Sequence, residues 1–364
     1  MNLGIITFHR ALNYGAVLQA YALQHFLTEI DIDSKIIDYR CEEIEYFYKP
    51  IKANPIKNIK KFLKECCFYT CNKIKRKKFM NFLNKNLLLT KKIDTEESLL
   101  NLNALFDCFI TGSDQVWNNR WTGLDGAFFL NFAESKKKNS YAASFGFSSV
   151  PQECEKKYRE YLSDFNFLSV RELDGVGIVE NLTGKSAVVS IDPTCLISRE
   201  EWISVAKLPK EKDYVLLYLL EQSSYLEGIA KELAARKGIK VITIADGFKR
   251  KRDIKKYGFL GPDEFLGLFH NARYIVTNSF HGLMFSVIFR KEFYISYQQY
   301  SGAPNSRLRN FIVNYHLEGR VLSENQPLFE AKIDYDEIES MIKSSKEYSK
   351  KYFYTLREYY EKSY

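Results

Sequence analysis

Two residues that could act as a general acid or base stand in polar turns that follow short apolar runs. Asp114 follows the run 105–111, and His281 follows the run 274–277 at the start of a helical pattern. A carboxylate in such a turn can take a proton from a hydroxyl group, or donate one where burial raises its pKa. Each residue also has a structural alternative, Asp114 as the cap of the next turn and His281 as a capping or core histidine bonded to the backbone. Both are candidates for proton transfer.

Other turns carry residues suited to binding an anion. The turn Asn13-Tyr14-Gly15 separates the apolar run 3–7 from the helical pattern 16–27. The amide groups at such a helix start can hold an anion, and the glycine lets the backbone approach a ligand closely. Arg171 follows the run 167–170, where its guanidinium could meet a carboxylate or phosphate with two parallel hydrogen bonds. The alternative for such an arginine is a position on a solvated helix surface.

The order of apolar runs, polar turns and helical patterns predicts an α/β protein of two halves. Three successive strand-like runs end in small or polar residues, and open α/β sheets bind ligands at the carboxyl ends of their strands. The strand pattern restarts near residues 187–194. We therefore predict an N-terminal domain over 1–178 that includes a basic helical segment 55–92, a C-terminal domain over 179–335, and a helix over 336–364 that packs back towards the first domain.

The composition excludes several classes of protein. The chain has 364 residues, of which 46% are hydrophobic and 27% charged, as in globular proteins of about two domains. Its seven cysteines follow no paired zinc spacing, so we predict free thiols and no metal site. The chain opens without the apolar stretch of a signal peptide, and no run approaches the roughly 18 residues of a membrane span. We expect a protein of the reducing cytoplasm.

Positive charge is concentrated in one segment. Residues 55–92 contain twelve Lys or Arg and one acid, Glu65, for a local charge of +11, whereas the whole chain carries +8. Apolar residues recur there at three- and four-residue spacing, as on one face of a helix. The favoured interpretation is a solvated basic face over a buried apolar stripe, and the alternative is docking on an anionic bilayer surface. Nucleic-acid binding is not expected, because no aromatic, zinc or helix-turn-helix motif accompanies the lysines.

Four motifs within residues 4–320 resemble, in order and spacing, those of the polysaccharide pyruvyl transferase family. They are residues 4–8 with 13–20, residues 109–118, residues 169–172 with 192–194, and residues 277–282. The resemblance implies two Rossmann-like α/β domains in a GT-B-like arrangement, with the active site in the cleft between them. It also implies phosphoenolpyruvate as donor and a sugar as acceptor. The implied product is a pyruvate ketal across two sugar hydroxyls, made during the synthesis of cell-surface or capsular polysaccharide.

Ketal formation from an enol phosphate needs an acid, a base and a clamp for the anionic donor, but no metal or cofactor. For this chemistry we expect catalytic roles for His281, which would stabilise or protonate the leaving phosphate, and for Asp114. The expected donor-binding residues are Arg171, Asn278, Ser279 and Arg307, with Arg309 as the alternative to Arg307. We expect contacts with acceptor or donor from Asn13, Tyr14, Gly15, Ser113, Gln115 and Asn118. Some family members carry arginine two positions before the motif histidine, and this chain has Ser279 there.

A GT-B-type glycosyltransferase that uses a nucleotide sugar is the alternative function. Within the first interpretation, the acceptor sugar could be carried on a polyprenyl diphosphate, as is common in bacterial polysaccharide assembly. The basic segment 55–92 would then hold the enzyme at the inner face of the plasma membrane, at roughly 1 kcal/mol per basic residue near the surface.

Overall fold

The computed structural model describes residues 1–49, 51–54, 57–246, 253–300, 305–323 and 332–362. The chain divides into two compact units. The first consists of Met1–Lys49, Leu83–Ile197 and Ser340–Tyr364, and the second of Pro50–Phe82 and Ser198–Glu339. Part of the basic segment, residues 55–56, lies outside the described residues.

The division differs from the predicted domains in two places. Residues 179–197 belong to the first unit, because their strand Val188–Val189 pairs in parallel with the strand Ser169–Val170. The basic segment belongs largely to the second unit, where Lys75 pairs with Asp246 at 2.9 Å. Ion pairing across a long stretch of sequence has no periodic signature, which is why the apolar pattern did not reveal this assignment.

The described residues form eleven β-strands. They are β1 Asn2–Ile6, β2 Asp33–Ile36, β3 Cys108–Thr111, β4 Lys138–Ser140, β5 Ser169–Val170, β6 Val188–Val189, β7 Tyr214–Tyr218, β8 Lys240–Ile244, β9 Ile254–Tyr257, β10 Tyr274–Thr277 and β11 Glu292–Ile295.

Thirteen α-helices connect or follow these strands in the described part of the chain. They are α1 Tyr14–Glu29, α2 Glu42–Phe47, α3 Ile59–Asn86, α4 Glu96–Leu100, α5 Asn119–Thr122, α6 Glu155–Leu162, α7 Leu173–Thr183, α8 Arg199–Val205, α9 Ser224–Lys237, α10 Pro262–Asn271, α11 Phe280–Ile288, α12 Ser306–Asn314 and α13 Tyr335–Lys362.

The sheet of the first unit is parallel, with the strand order β2-β1-β3-β4. The bridge Ala143↔Val170 continues it towards β5 and β6, and the bridge Ile36↔Leu89 extends its other edge. Chain connections leave β1 and β3 in opposite directions, so the loops after these two strands lie side by side at a topological switch point. Gly112 N donates to Ile6 O at 2.8 Å and joins the two loops.

The sheet of the second unit is also parallel, with the strand order β11-β10-β7-β8-β9. This order places its first strand, β7, in the centre and beside β10, as in the Rossmann fold. Buried aromatic side chains pack beneath it, among them Phe265 and Phe269 with ring centroids 4.7 Å apart. The ends of β7 and β10 form a second switch point, within this unit.

The C-terminal helix α13 packs on the first unit from Ser340 onward. The hydroxyl of Tyr352 donates to Ser140 O at 2.6 Å, and the hydroxyl of Tyr360 donates to Lys136 O at 2.7 Å. The ring of Phe353 lies 4.8 Å from that of Tyr141, between centroids. These contacts cover the strand β4. None of the helices in the described ranges has the length and hydropathy needed to span a bilayer.

Candidate active site

The loop that follows β3 brings together several of the predicted site residues. Thr7 Oγ1 donates to Ser113 O at 2.8 Å and fixes the start of this loop against the end of β1. Asp114 adopts a φ of +80°, a region that costs an L-residue backbone energy and is often found where function requires it. Ser113 and Asp114 are both buried. The candidate carboxylate lies at the switch point of the first sheet, where its Oδ1 accepts from Gln115 N at 2.9 Å.

Arg171 is buried at the end of β5 and reaches this loop. Its Nη2 donates to Ser113 Oγ at 2.6 Å and lies 3.9 Å from Asp114 Oδ1. Its Nη1 lies 3.1 Å from Asp192 Oδ2, and only 2% of the arginine side chain is exposed. Asp192 is held in turn by the N–H and hydroxyl of Thr194. The guanidinium therefore bridges two carboxylates and a hydroxyl, and it fixes the loop around Asp114.

Glu172, which the sequence analysis did not single out, organises the neighbouring turn. Its Oε1 accepts hydrogen bonds from Ser144 Oγ at 2.8 Å and from the N–H groups of Phe145 and Gly146 at 3.1 and 3.2 Å. Its side chain is fully buried. The position of Glu172 next to Arg171 in the motif 169–172 could have marked it as a candidate. Its hydrogen-bond partners could not be predicted, because they lie 26 to 28 residues away along the chain. The carboxylate stabilises the turn 144–146.

Gly146 allows this turn to approach the loop after β3. Its φ is +69°, and a Cβ atom there would lie 2.2 Å from Gln115 Nε2 and 2.9 Å from Asn118 Nδ2. The backbone therefore lies directly against the two amide groups, where only glycine fits.

Gln115 presents a buried hydrogen-bond donor in the cradle that the turn 144–146 forms with the loop after β3. Its Oε1 accepts from Trp121 Nε1 at 2.8 Å, while its Nε2 has no hydrogen-bond partner among the residues that the structure describes. Asn118 instead caps the short helix α5, because its Oδ1 accepts from Arg120 N at 3.0 Å. An unsatisfied buried donor is costly, so one beside a candidate carboxylate is suited to a substrate oxygen.

The turn 13–15 forms the start of helix α1. Asn13 Oδ1 accepts from Ala16 N at 3.3 Å and caps α1. Tyr14 and Gly15 begin this helix and are buried. The amide groups at the start of α1 lie at the carboxyl end of β1, as expected for this turn.

A cluster around Asp38 lies at the carboxyl ends of β1 and β2 and was missed by the sequence analysis. Asp38 Oδ1 accepts from Arg10 Nε at 2.6 Å and faces His9 Nε2 at 3.1 Å, and Arg40 Nη2 lies 3.2 Å from Oδ2. Burial alone would raise the pKa of Asp38, but hydrogen bonds from His9 and Arg10 and the charge of Arg10 hold that pKa well below its usual range. The carboxylate is therefore ionised and joins the two loops.

In the second unit, the loop after β10 carries the other predicted residues. Asn278 Oδ1 accepts from Leu220 N at 2.8 Å, and its Nδ2 donates to Glu221 O at 2.7 Å, which ties the end of β10 to the loop after β7. Ser279 caps α11, because its Oγ accepts from Gly282 N at 3.2 Å. Both side chains thus shape the loop through backbone partners.

His281 lies in the first turn of α11 and is buried. The following residue, Gly282, packs so closely on β10 that a Cβ atom would lie 2.3 Å from Thr277 Oγ1. This contact sets the helix start directly at the strand end. A helix N-terminus favours anions, and the positive charge of a protonated imidazole would act in the same direction.

The two predicted arginines of α12 have different surroundings. Arg307 is buried, and its guanidinium carbon lies 5.2 Å from the ring centroid of Phe280, the residue before His281. Arg309 is exposed and lies over the ring of Tyr297 at 5.4 Å. The structure therefore associates Arg307, rather than Arg309, with the start of α11.

The predicted residues form two groups, one at the carboxyl ends of the strands in each unit. The first contains Ser113, Asp114, Gln115, Asn118 and Arg171, and the second contains Asn278, Ser279, His281 and Arg307. One set of possible metal ligands in the first unit, Cys41, Glu43 and Asp125, includes none of these residues. Its members are instead engaged by hydrogen bonds such as that from Tyr39 OH to Asp125 at 2.7 Å.

Two solved structures have a fold similar to that of this chain. A UDP-GlcNAc 2-epimerase from Methanocaldococcus jannaschii has a TM-score of 0.50 and 15% identity, over 94% of this chain and 92% of that one. S. aureus MnaA, solved with UDP, has a TM-score of 0.50 and 10% identity, over 94% of this chain and 87% of that one. The α/β fold with parallel sheets, predicted from the sequence, is confirmed.

The family model for polysaccharide pyruvyl transferase matches residues 13–299. The chain belongs to this family, which confirms the resemblance carried by the four motifs. A search of curated proteins finds no match to the sequence.

Proposed function

We propose that the chain is a pyruvyl transferase that moves the enolpyruvyl group of phosphoenolpyruvate onto two hydroxyls of a sugar, in the synthesis of a cell-surface or capsular polysaccharide. The observation that carries this proposal is the buried group around Asp114. It combines an ionisable carboxylate, a fixed arginine and the amide donor of Gln115 at a switch point. Family membership over residues 13–299 supports the same reaction class.

The donor binds at the start of α11 in this proposal. Phosphoenolpyruvate carries a phosphate and a carboxylate, so its site needs cations and N–H donors. His281 and the amide groups of the first helical turn would bind the phosphate, and Arg307 would bind the carboxylate with two parallel hydrogen bonds. Because this chain has Ser279 two positions before His281, an arginine contact with the donor must come from elsewhere in the sequence, and Arg307 supplies it in this proposal.

The reaction proceeds by addition and then substitution at C2 of the donor. A proton is delivered to C3, and a sugar hydroxyl adds to the cationic C2 while losing its proton to a base. The phosphate then leaves C2 with its bonding electrons, and the second hydroxyl attacks to close the ketal. One hydroxyl proton thus balances the new methyl group, and the other leaves with hydrogen phosphate.

Each side chain has a defined part in these steps. Asp114 takes the proton from the attacking hydroxyl, and Gln115 donates a hydrogen bond to an acceptor oxygen. Protonated His281 stabilises the charge on the departing phosphate or protonates it. Arg171 acts as a positioning residue, because it holds Ser113 and Asp114 and is itself held by Asp192.

The alternative is a GT-B-type glycosyltransferase that uses a nucleotide sugar. The solved structures with a similar fold include a UDP-GlcNAc 2-epimerase and a protein solved with UDP, but an identity of 10 to 15% supports only a shared fold. The purified protein can be incubated with phosphoenolpyruvate and with acceptors ending in galactose, mannose or glucosamine, and the products weighed. We expect release of phosphate and an acceptor mass increased by one pyruvate less one water. Consumption of a UDP-sugar without phosphoenolpyruvate would support the alternative instead.

A further inference from the structure

The N-terminal part of α3 turns an apolar face towards solvent. Ile59, Leu63 and Ile74 are 54%, 55% and 48% exposed, and Cys66 and Cys67 are also exposed. Residues three, four and seven apart share one side of a helix, so these five side chains form one stripe. Exposed apolar stripes of this kind mark interaction surfaces. We call the stripe formed by these five side chains the outer face of α3.

The opposite side of the same helix is occupied by its own unit. The ring of Phe68 lies 6.3 Å from that of Phe259, and Lys75 and Lys78 pair with Asp246 and Glu264 at 2.9 and 2.6 Å. These contacts fix the rotation of the helix about its axis. The sequence pattern favours a buried apolar stripe beneath solvated lysines, and the structure has this arrangement further along the helix, where Phe79 and Phe82 are buried. Over residues 59–74 the apolar stripe is outside.

Lysines border the outer face, and the single acid of the segment is engaged elsewhere. Lys60 and Lys73 are exposed, one on each side of the apolar stripe, and Lys77 is exposed in line with it beyond Ile74. Glu65 Oε2 accepts hydrogen bonds from the N–H groups of Lys52 and Ala53 at 2.7 and 2.8 Å. Apolar side chains flanked by flexible cations match the interface of an anionic bilayer, where lysines reach the headgroups while the apolar stripe enters the acyl boundary.

We propose that the outer face of α3 docks on an anionic phospholipid surface. Ile59, Leu63 and Ile74 insert at the headgroup boundary, and the lysines on both sides bind headgroup phosphates. Charge complementarity favours lipid over an apolar protein partner or a second copy of this basic chain. Docking does not depend on the reaction proposed above, although it would bring the protein to a lipid-linked acceptor.

Sedimentation of the full chain with vesicles tests this proposal without any substrate. One vesicle contains phosphatidylcholine alone, and the other contains phosphatidylcholine with phosphatidylglycerol. We expect binding only to the anionic vesicles at low salt and a loss of binding as salt is raised. Equal binding to both vesicle types, or to neither, would overturn the proposal. So would self-association of the free protein that depends on Leu63, because the face would then bind a second copy.

Matched variants test whether binding depends on the outer face of α3 or on charge and hydrophobicity anywhere on the protein surface. The double variant Lys60→Gln and Lys73→Gln should weaken binding about fivefold per lysine, and Leu63→Ser should weaken it by a similar factor. The controls Lys210→Gln with Lys212→Gln and Leu208→Ser change exposed residues elsewhere in the second unit. Their binding should be unchanged, and equal weakening by the controls would contradict a specific docking face. Because all these side chains are exposed, the variants should fold.

Discussion

At the scale of single residues, the proposed proton transfer and donor binding depend on His281 and Arg307. His281 occupies the first turn of α11 and Arg307 lies against Phe280, so the two candidates share one helix start. The sequence indicated the histidine through its place after β10. It could not separate Arg307 from Arg309, because both stand on the same helix and only packing decides which one is buried.

His281→Ala should lower the turnover of phosphoenolpyruvate by about a hundredfold or more, because a general acid or phosphate contact is lost. The measurement is the steady-state release of phosphate, with thermal unfolding as a check on the fold. His316→Ala is the matched control, since His316 lies on the surface of the same unit, 67% exposed. Turnover that is unchanged in His281→Ala would remove this residue from the active site.

Arg307→Lys should raise the KM for phosphoenolpyruvate about tenfold with a smaller effect on kcat, because an ammonium group cannot reproduce the two parallel hydrogen bonds of guanidinium. The control is Arg309→Lys, a change of the same kind at the exposed neighbour over Tyr297. Its KM should stay close to that of the unchanged protein. A larger effect from Arg309→Lys would mean that the wrong arginine has been assigned to the donor.

At the scale of elements, loops after adjacent strands are fixed to one another by buried polar groups. Glu172 holds the turn 144–146, and Asp38 joins the loops after β1 and β2. The partners of Asp38 at Arg10 and His9 lie 28 and 29 residues away in the sequence. Such pairs become visible only when the strand order brings them together, so no local pattern could have predicted them.

Gly146→Ala should abolish most activity, because its Cβ would collide with Gln115 at the cradle beside Asp114. Gly184→Ala is a close control, since Gly184 has a φ of +70° against +69° for Gly146, but the Cβ atom that alanine adds there would meet nothing within 4 Å. The left-handed backbone should cost each variant about 1 kcal/mol of stability, and the collision adds to this cost in Gly146→Ala alone. Chemical unfolding and phosphate release measure the two effects. Equal activity in the two variants would show that the cradle is not used.

The Asp38 cluster should make stability depend on pH. Because the folded pKa of Asp38 is depressed, the stability it provides is fully present above the unfolded pKa of about 3.9 and is lost as pH falls below that value. Asp38→Asn should cost about 2 kcal/mol at neutral pH and progressively less towards pH of about 3. Urea unfolding of both proteins across this range measures the difference. A difference that stays constant with pH would contradict an ionised, paired carboxylate.

At the scale of the whole molecule, two α/β units follow from periodicity and turns alone. Short apolar runs ending in polar turns indicate the carboxyl ends of β3, β5 and β10, where the candidate site residues lie. The unit boundaries could not be read in this way, because residues 50–82 join the second unit through ion pairs and aromatic contacts. The same contacts determine which side of α3 faces solvent.

The central claim is that this chain protonates C3 of phosphoenolpyruvate and joins C2 to a sugar. The most direct measurement is the NMR spectrum of the product formed in D₂O. We predict a pyruvate ketal whose methyl group carries at least one deuterium from the solvent, with phosphate released alongside it. A product that retains a vinyl group, or a glycoside formed without phosphoenolpyruvate, would contradict the claim.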